Sequence, residues 1–359
     1  MVSAHVRTRY RTGSKELDAQ LLQILDEAGA TADVDQLFET LVSVVRLAGD
    51  GADRLDLKIT NAALKEMRNA FRAFAPYRDR PKATIFGSAR TRSDHPAYGQ
   101  TLELARSLAE HGWMVVTGAG PGIMEAGLEG AGRDHAFGVS IRLPFETTPS
   151  PYVSGDRLIS MKYFFTRKLM LMKESHGFVS MPGGFGTLDE TFELLTLIQT
   201  GKASPAPIVL LDEPGGTFWS GFLTFVREVD RHGYIDEDDL DLFLVTDDVG
   251  AAVDELLTFS RNFQSIRWVG DTVVVRLRHG PTDDELAALN DDFGPLVVSG
   301  RIERTDPLPA EVGDADHLDL ARIKLVANQS AAGWLRRLID RLNRLPSLPP
   351  TQQSSPPTS

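Results

Sequence analysis

Cysteine is absent from all 359 residues. That omission removes disulfides, thiolate metal sites and a cysteine nucleophile, and it fits a reducing, cytoplasmic setting. No apolar run approaches the length of a membrane span, and the basic opening MVSAHVRTRYRTGS has no hydrophobic stretch behind it. Neither a membrane partner nor a secretory leader is expected. Positive charge is in deficit: 38 Lys and Arg stand against 50 Asp and Glu, a net charge of −12. A sequence-independent nucleic-acid binder needs the opposite balance to displace phosphate counterions, so no nucleic-acid partner is expected. A local basic pocket for one small anion remains compatible with an acidic surface. The eight histidines show no metal-ligand spacing and no His-Glu-x-x-His, so metal is not expected. Gly-x-Ser-x-Gly and Walker lysine motifs are missing too.

What is present divides the chain into five stretches. Residues 1–14 and 347–359 are polar, and the latter is rich in Pro and Ser, with too little apolar content to order themselves. Residues 15–80 form a helical N-terminal extension. In its last helix Asn61 is the expected N-cap, Leu64, Met67, Phe71 and Phe74 recur at helical spacing, and Pro76 ends it. Residues 81–260 alternate short apolar strands (83–86, 114–117, 137–141, 178–181, 208–211, 243–245) with amphipathic helices. Continuously apolar strands imply burial on both faces, hence an α/β domain with a Rossmann-like parallel sheet flanked by helices. Residues 261–346 change character again. An alternating strand pair over 265–277, a short helix over 282–290, a strand over 318–326 and a closing helix over 331–345 predict a small α+β appendage.

Ligands of such sheets bind beyond the carboxyl ends of the strands, and three glycine-bearing loops fall there. The first is Gly87-Ser88-Ala89-Arg90 and the second runs from Gly118 through Gly120 to Gly122. The third is Pro182-Gly183-Gly184-Phe185-Gly186-Thr187. In the third, closely spaced glycines bring backbone amides near a ligand, and Thr187 is placed to cap the next helix. Free amides at a helix start make an anion site; an ordinary strand-to-helix turn is the alternative. Glu190 has two readings, half of a capping box with Thr187 or a carboxylate projecting into the cleft. Arg167 and Lys168 lie on an otherwise apolar helix, where a buried cation pair needs a partner such as a phosphate or Glu190. The second loop lacks the dinucleotide spacing and serves either ribose and phosphate or helix packing. Glu125 is an acid, a ribose ligand or a first-turn carboxylate favoured by the helix dipole. His176 reads as a helix-end residue.

Four pieces together resemble the LONELY GUY (LOG) family, once misnamed lysine decarboxylase-like. They are the Phe86–Arg90 loop, the Thr117–Glu125 loop, the Arg167-Lys168 pair, and the PGGxGTxxE motif at Pro182–Glu190. The resemblance covers roughly residues 80–260. It implies hydrolysis of the N-glycosidic bond of nucleoside 5′-monophosphates to a free base and ribose 5-phosphate. Cytokinin riboside monophosphates are the best-known substrates, with AMP and others used by some members. It further implies a catalytic pair of Arg167 and Glu190, and a phosphate cradle of Gly183, Gly184, Gly186 and Thr187. Gly87 and Ser88 would line the nucleotide site, with Gly118, Gly120, Gly122, Glu125 and Lys168 as supporting ligands. The chemistry fits: a carboxylate stabilises an oxocarbenium-like state and orients water, while Arg167 steers the phosphate or ribose and holds Glu190 ionised. No cofactor is demanded, and no lysine stands out as a Schiff-base site. A homodimer or higher homo-oligomer is implied. The alternative on the same fold is a non-catalytic carrier or sensor of a nucleotide or of molybdenum cofactor. Tyr163-Phe164-Phe165-Thr166 replaces the Met-His of many plant-type members, which leaves base preference open.

Overall fold

The computed structural model describes residues 8–142, 150–153, 155–314, 316–328 and 330–350. The chain divides into two units, Met1–Arg68 and Asn69–Ser359. In the first, α1 (Lys15–Glu27) and α2 (Val34–Gly49) enclose a small core of Leu25, Phe38 and Val42. The following helix, α3 (Arg54–Phe74), continues into the second unit. Its start differs from the expectation of an Asn61 cap. Asp53 already accepts from the amides of Leu55 (2.6 Å) and Asp56 (2.9 Å), so the helix begins earlier and Asn61 lies inside it. Pro76 falls in the short 3-10 turn that follows α3.

The second unit contains the expected parallel sheet. Its strands are β1 (Lys82–Phe86), β2 (Met114–Thr117), β3 (Ala136–Ile141), β4 (Leu158–Met161), β5 (Gly177–Ser180), β6 (Ile208–Leu211) and β7 (Leu244–Thr246). Every pairing is parallel, in the order β4-β3-β2-β1-β5-β6-β7. Six helices link or follow the strands: α4 (Pro96–Glu110), α5 (Ile123–Ala131), α6 (Phe164–Lys173), α7 (Phe185–Gln199), α8 (Phe218–Arg231) and α9 (Val249–Phe259). Ile85, Val115, Val179 and Val209 form the sheet's share of a core closed by Leu104, Leu108, Leu128 and Leu256. Burial on both faces explains why these strands read as continuous apolar runs. Edge strand β4, with the sequence LISM, went unanticipated: four residues, buried only at every second position, give periodicity too little to work on.

The sheet order sets the location of any ligand. The chain leaves β1 toward β4, then returns to place β5 on the other side of β1. Loops after β1 and β5 therefore diverge and leave a crevice at the carboxyl edge, the switch point where ligands of such sheets sit.

The C-terminal sheet is antiparallel, in the order β10-β11-β9-β8: β8 (Phe263–Val269), β9 (Thr272–Leu277), β10 (Val297–Arg304) and β11 (Ala321–Ala327). Three helices accompany it, α10 (Asp283–Asp292), α11 (Pro309–Asp314) and α12 (Ala332–Leu342). Alternation decides its faces. Val273, Val275, Leu277, Ile323 and Leu325 join Leu335, Leu338 and Leu342 of α12 in an apolar core. Between them Arg276 and Arg322 bind the fully buried Glu311 at 2.9 and 3.3 Å. Ser347 donates to Glu285 from its amide (2.9 Å) and hydroxyl (2.8 Å), and Leu348 is buried, so the polar terminal stretch begins against this sheet. In the other stretch expected to lack order, Thr12 donates to Asp18 from its amide (3.0 Å) and hydroxyl (2.7 Å), while residues 1–7 and 351–359 lie outside the described residues.

Candidate active site

Ser88 joins the three glycine loops. Its amide donates to the Pro182 carbonyl (3.2 Å), its carbonyl accepts from the Ile123 amide (3.1 Å), and its hydroxyl accepts from the Arg90 amide (3.1 Å). The loops bound a cleft of about 730 Å³ at the switch point. Gly87, Ser88, Gly118, Gly120, Gly183, Gly184, Gly186 and Thr187 all line it, together with Arg167 and Glu190.

The β5 loop carries the helix α7 on an uncapped start. Gly184 occupies the N-cap position and, being glycine, offers no side-chain cap to the first-turn amides. Thr187 is therefore not the cap the sequence suggested but lies in the first turn, buried, with its carbonyl accepting from the Thr191 hydroxyl (2.8 Å). A side-chain Cβ placed at Gly184 or Gly186 would meet no protein atom within 4 Å. Packing does not demand glycine at either position. Their bareness leaves open space at the positive end of a 15-residue helix, the form of an anion cradle.

At the floor of the cleft lie Arg167 and Glu190, with Arg167 Nη1 3.6 Å from Glu190 Oε1 and both side chains nearly buried. Arg167 Nε donates to the Val139 carbonyl (2.9 Å), which fixes the guanidinium from below. Gly118 roofs it: a Cβ there would stand 1.9 Å from Arg167 Nη2. Glu190 sits one turn beyond the start of α7, so the capping-box reading gives way to the cleft-facing one. Burial pushes the Glu190 carboxyl up to about 7, against the opposing pull of Arg167 and Lys168. Arg167 does pull Glu190 toward its ionised form, but desolvation outweighs the cation 3.6 Å away.

Three sequence-predicted residues fall elsewhere. Lys168 does not line the cleft; its Nζ is held between Asp189 (2.6 Å) and Glu193 (2.9 Å) on α7. Gly122 packs against the first loop, and Glu125 lies in the first turn of α5, outside the lining. His176 is at the opposite edge of the sheet, where its Nδ1 accepts from the Lys82 amide (3.3 Å). Cleft-lining residues missed from the sequence include Arg90, Met124, Ile141, Phe164, Phe185 and Leu188. Arg90 and Phe185 stand inside motifs already singled out, so position alone could have found them. The helix α6, expected to be buried, exposes Phe164, Phe165 and Leu169.

The parallel α/β domain thus carries an uncapped, bare-backbone helix start and a buried Arg–Glu pair at the switch point of its sheet. Residues 120–256 match a family described as "Possible lysine decarboxylase". Over 143 residues the chain is 33% identical to the cytokinin riboside 5′-monophosphate phosphoribohydrolase LOG of Oryza sativa subsp. japonica. That match covers 38% of this chain and 56% of the rice protein, so the chain spans little more than half of that relative. Over 165 residues it is 26% identical to the cytokinin riboside 5′-monophosphate phosphoribohydrolase of Mycobacterium marinum, covering 44% of this chain and 86% of the other. The LONELY GUY family resemblance is borne out, the family match covering residues 120–256 of the α/β domain. Among solved structures, the molybdenum cofactor carrier protein of Chlamydomonas reinhardtii is 26% identical with a TM-score of 0.36. That match covers 50% of this chain and 98% of the carrier, and at this TM-score no function follows from it.

Proposed function

We propose that this chain hydrolyses the N-glycosidic bond of nucleoside 5′-monophosphates, AMP-like or cytokinin riboside monophosphates, to a free base and ribose 5-phosphate. The observation that carries the reading is the buried Arg167–Glu190 pair on the floor of a cleft whose wall is an uncapped, bare-backbone helix start. The phosphate lies on the Gly183–Thr187 cradle, and anchoring it holds the ribose over Glu190. In its ionised form Glu190 accepts a proton from water, whose oxygen bonds to C1′ as the C1′–N bond breaks. The electron pair leaves with the base, which takes up a proton, so water adds across the bond. A carboxyl titrating near 7 suits that exchange at neutral pH. Arg167 keeps the carboxyl oriented and contributes positive potential on the ribose-phosphate side.

The lysine decarboxylase description fits the residues poorly, since no lysine is among those lining the cleft. The same reading makes the enzyme a cytoplasmic homo-oligomer. Support comes from the absence of cysteine and from the exposed aromatic side chains of Phe164, Phe165 and Phe185, the first and last of which line the cleft. No helix among the described residues is long and apolar enough to cross a membrane.

The test is a chromatographic assay of base release from AMP, GMP, CMP, UMP, IMP and isopentenyl-AMP. Release from monophosphates that falls about 100-fold or more in Glu190→Gln and Arg167→Ala is the expected result. Binding without release from any of them would refute hydrolysis and favour a carrier or sensor.

A further inference from the structure

The cleft holds three charged side chains, Arg90, Arg167 and Glu190. Two of them already answer one another. Arg167 is nearly buried, faces Glu190 and is fixed by the Val139 carbonyl. Lys168, the second cation expected at the site, is matched by two carboxylates and lies outside the lining. A phosphate monoester dianion on the cradle would therefore meet the partial positive charge of a helix start, about half an elementary charge, and little else.

Arg90 is placed to supply the missing charge. It is exposed, it lines the cleft, and it makes no ion pair among the described residues. Its backbone, by contrast, is fixed. The Arg90 amide donates to the Ser88 hydroxyl, and the Ser88 amide donates to Pro182 at the root of the cradle. A loop stitched to the β5 loop at its base thus presents a long cationic side chain at the mouth. Guanidinium is the group suited to a phosphate there, since its planar fork gives two parallel charge-assisted hydrogen bonds.

We propose that Arg90 is the phosphate-selecting residue of the cleft: it grips the phosphate held on the Gly183–Thr187 cradle and so separates nucleoside monophosphates from nucleosides. This rests on the nucleotide reading of the same site. It makes Arg90 a binding residue, distinct from the Arg167–Glu190 pair that faces the reacting bond.

The experiment compares the full-length protein with Arg90→Ala and Arg90→Lys. Affinity for AMP, adenosine and inorganic phosphate is measured by calorimetry in a Glu190→Gln background, and kcat and KM for AMP in the active background. Arg90→Ala should weaken AMP binding and raise KM about 10- to 100-fold, the range for a charge-assisted pair. It should leave adenosine affinity unchanged, and Arg90→Lys should recover part of the loss. Equal AMP affinity in wild type and Arg90→Ala would overturn the proposal, as would an equal loss for adenosine. Failure of the wild type to release base would instead strike at the hydrolase reading, while calorimetry would still judge Arg90.

Discussion

Replacing Glu190 by glutamine should stabilise this protein increasingly as pH rises past 4.5 and change little below that value. The cause is the competition at the cleft floor, where burial raises the carboxyl from 4.5 to about 7 although Arg167 lies 3.6 Å away. A carboxyl raised on folding keeps its proton in the folded chain at pH values where the unfolded chain has released it. Folding therefore gains from the neutral form, and the gain fades as pH climbs from 4.5 through about 7. At about pH 8.5 the ionised side chain costs about 3 kcal/mol relative to a neutral one, at 1.36 kcal/mol per pKa unit. Glutamine keeps the shape and cannot ionise. At about pH 4, below the unfolded value, it should match the wild type; at about pH 8.5 it should melt roughly 5 °C higher, given the usual shift per kcal/mol for large domains. Thermal melts of both proteins at the two pH values decide the matter. A variant less stable than wild type at the higher pH would refute the reasoning, because it would show the ion pair with Arg167 outweighing burial. Gain of stability on loss of a catalytic carboxylate is the usual sign of an active site held at a cost to the fold.

Two further outcomes follow from the same geometry. If the ionised carboxylate is the working form, kcat/KM for AMP should rise tenfold per pH unit below about 7 and level off above it; a flat profile would remove Glu190 as base. Gly118→Ala should cut turnover sharply while costing only about 1–3 kcal/mol of stability, since its Cβ would meet Arg167 Nη2 at 1.9 Å and displace the guanidinium. Unchanged turnover in that variant, measured beside its melting temperature, would mean that the position of Arg167 is not critical.

Much of this architecture was legible because burial on both faces writes a simple pattern. Stretches such as Met114–Thr117 and Ile208–Leu211 announce themselves as parallel strands through unbroken apolar runs. The glycine loops were legible because tight turns and close backbone approach, as at Gly87 and Gly122, tolerate few other residues. What stayed hidden depends on direction. Nothing in the adjacent letters of Arg167 and Lys168 says that one turns into the cleft and the next onto Asp189 and Glu193. Neighbouring residues of a helix point about 100° apart, and only the packing of α6 shows which faces inward. The helix start at Phe185 was equally hidden, because Thr187 looks like a cap and the true N-cap is a glycine with no side chain to signal it. The sign of the Glu190 shift needs the depth of burial, which no spacing encodes.

The helix α7 is one rigid element with two ends. Its first residues form the cradle, while at its last Gln199 Nε2 donates to Asp239 Oδ2 (2.5 Å). There Ile198 and Gln199 border a narrow crevice shared with Ile266, Trp268 and Leu335 of the C-terminal domain. At about 1.5 Å per residue these ends are separated by about 22 Å. The backbone of α12 also lies so close to the α/β domain that a Cβ at Gly333 would stand 1.7 Å from the Asp238 carbonyl oxygen. A truncation just after α9 would therefore not yield a minimal family domain. It would strip the apolar cover from the far end of the helix that carries the cradle, and any binding defect in such a fragment would report a loosened strut rather than a missing ligand contact.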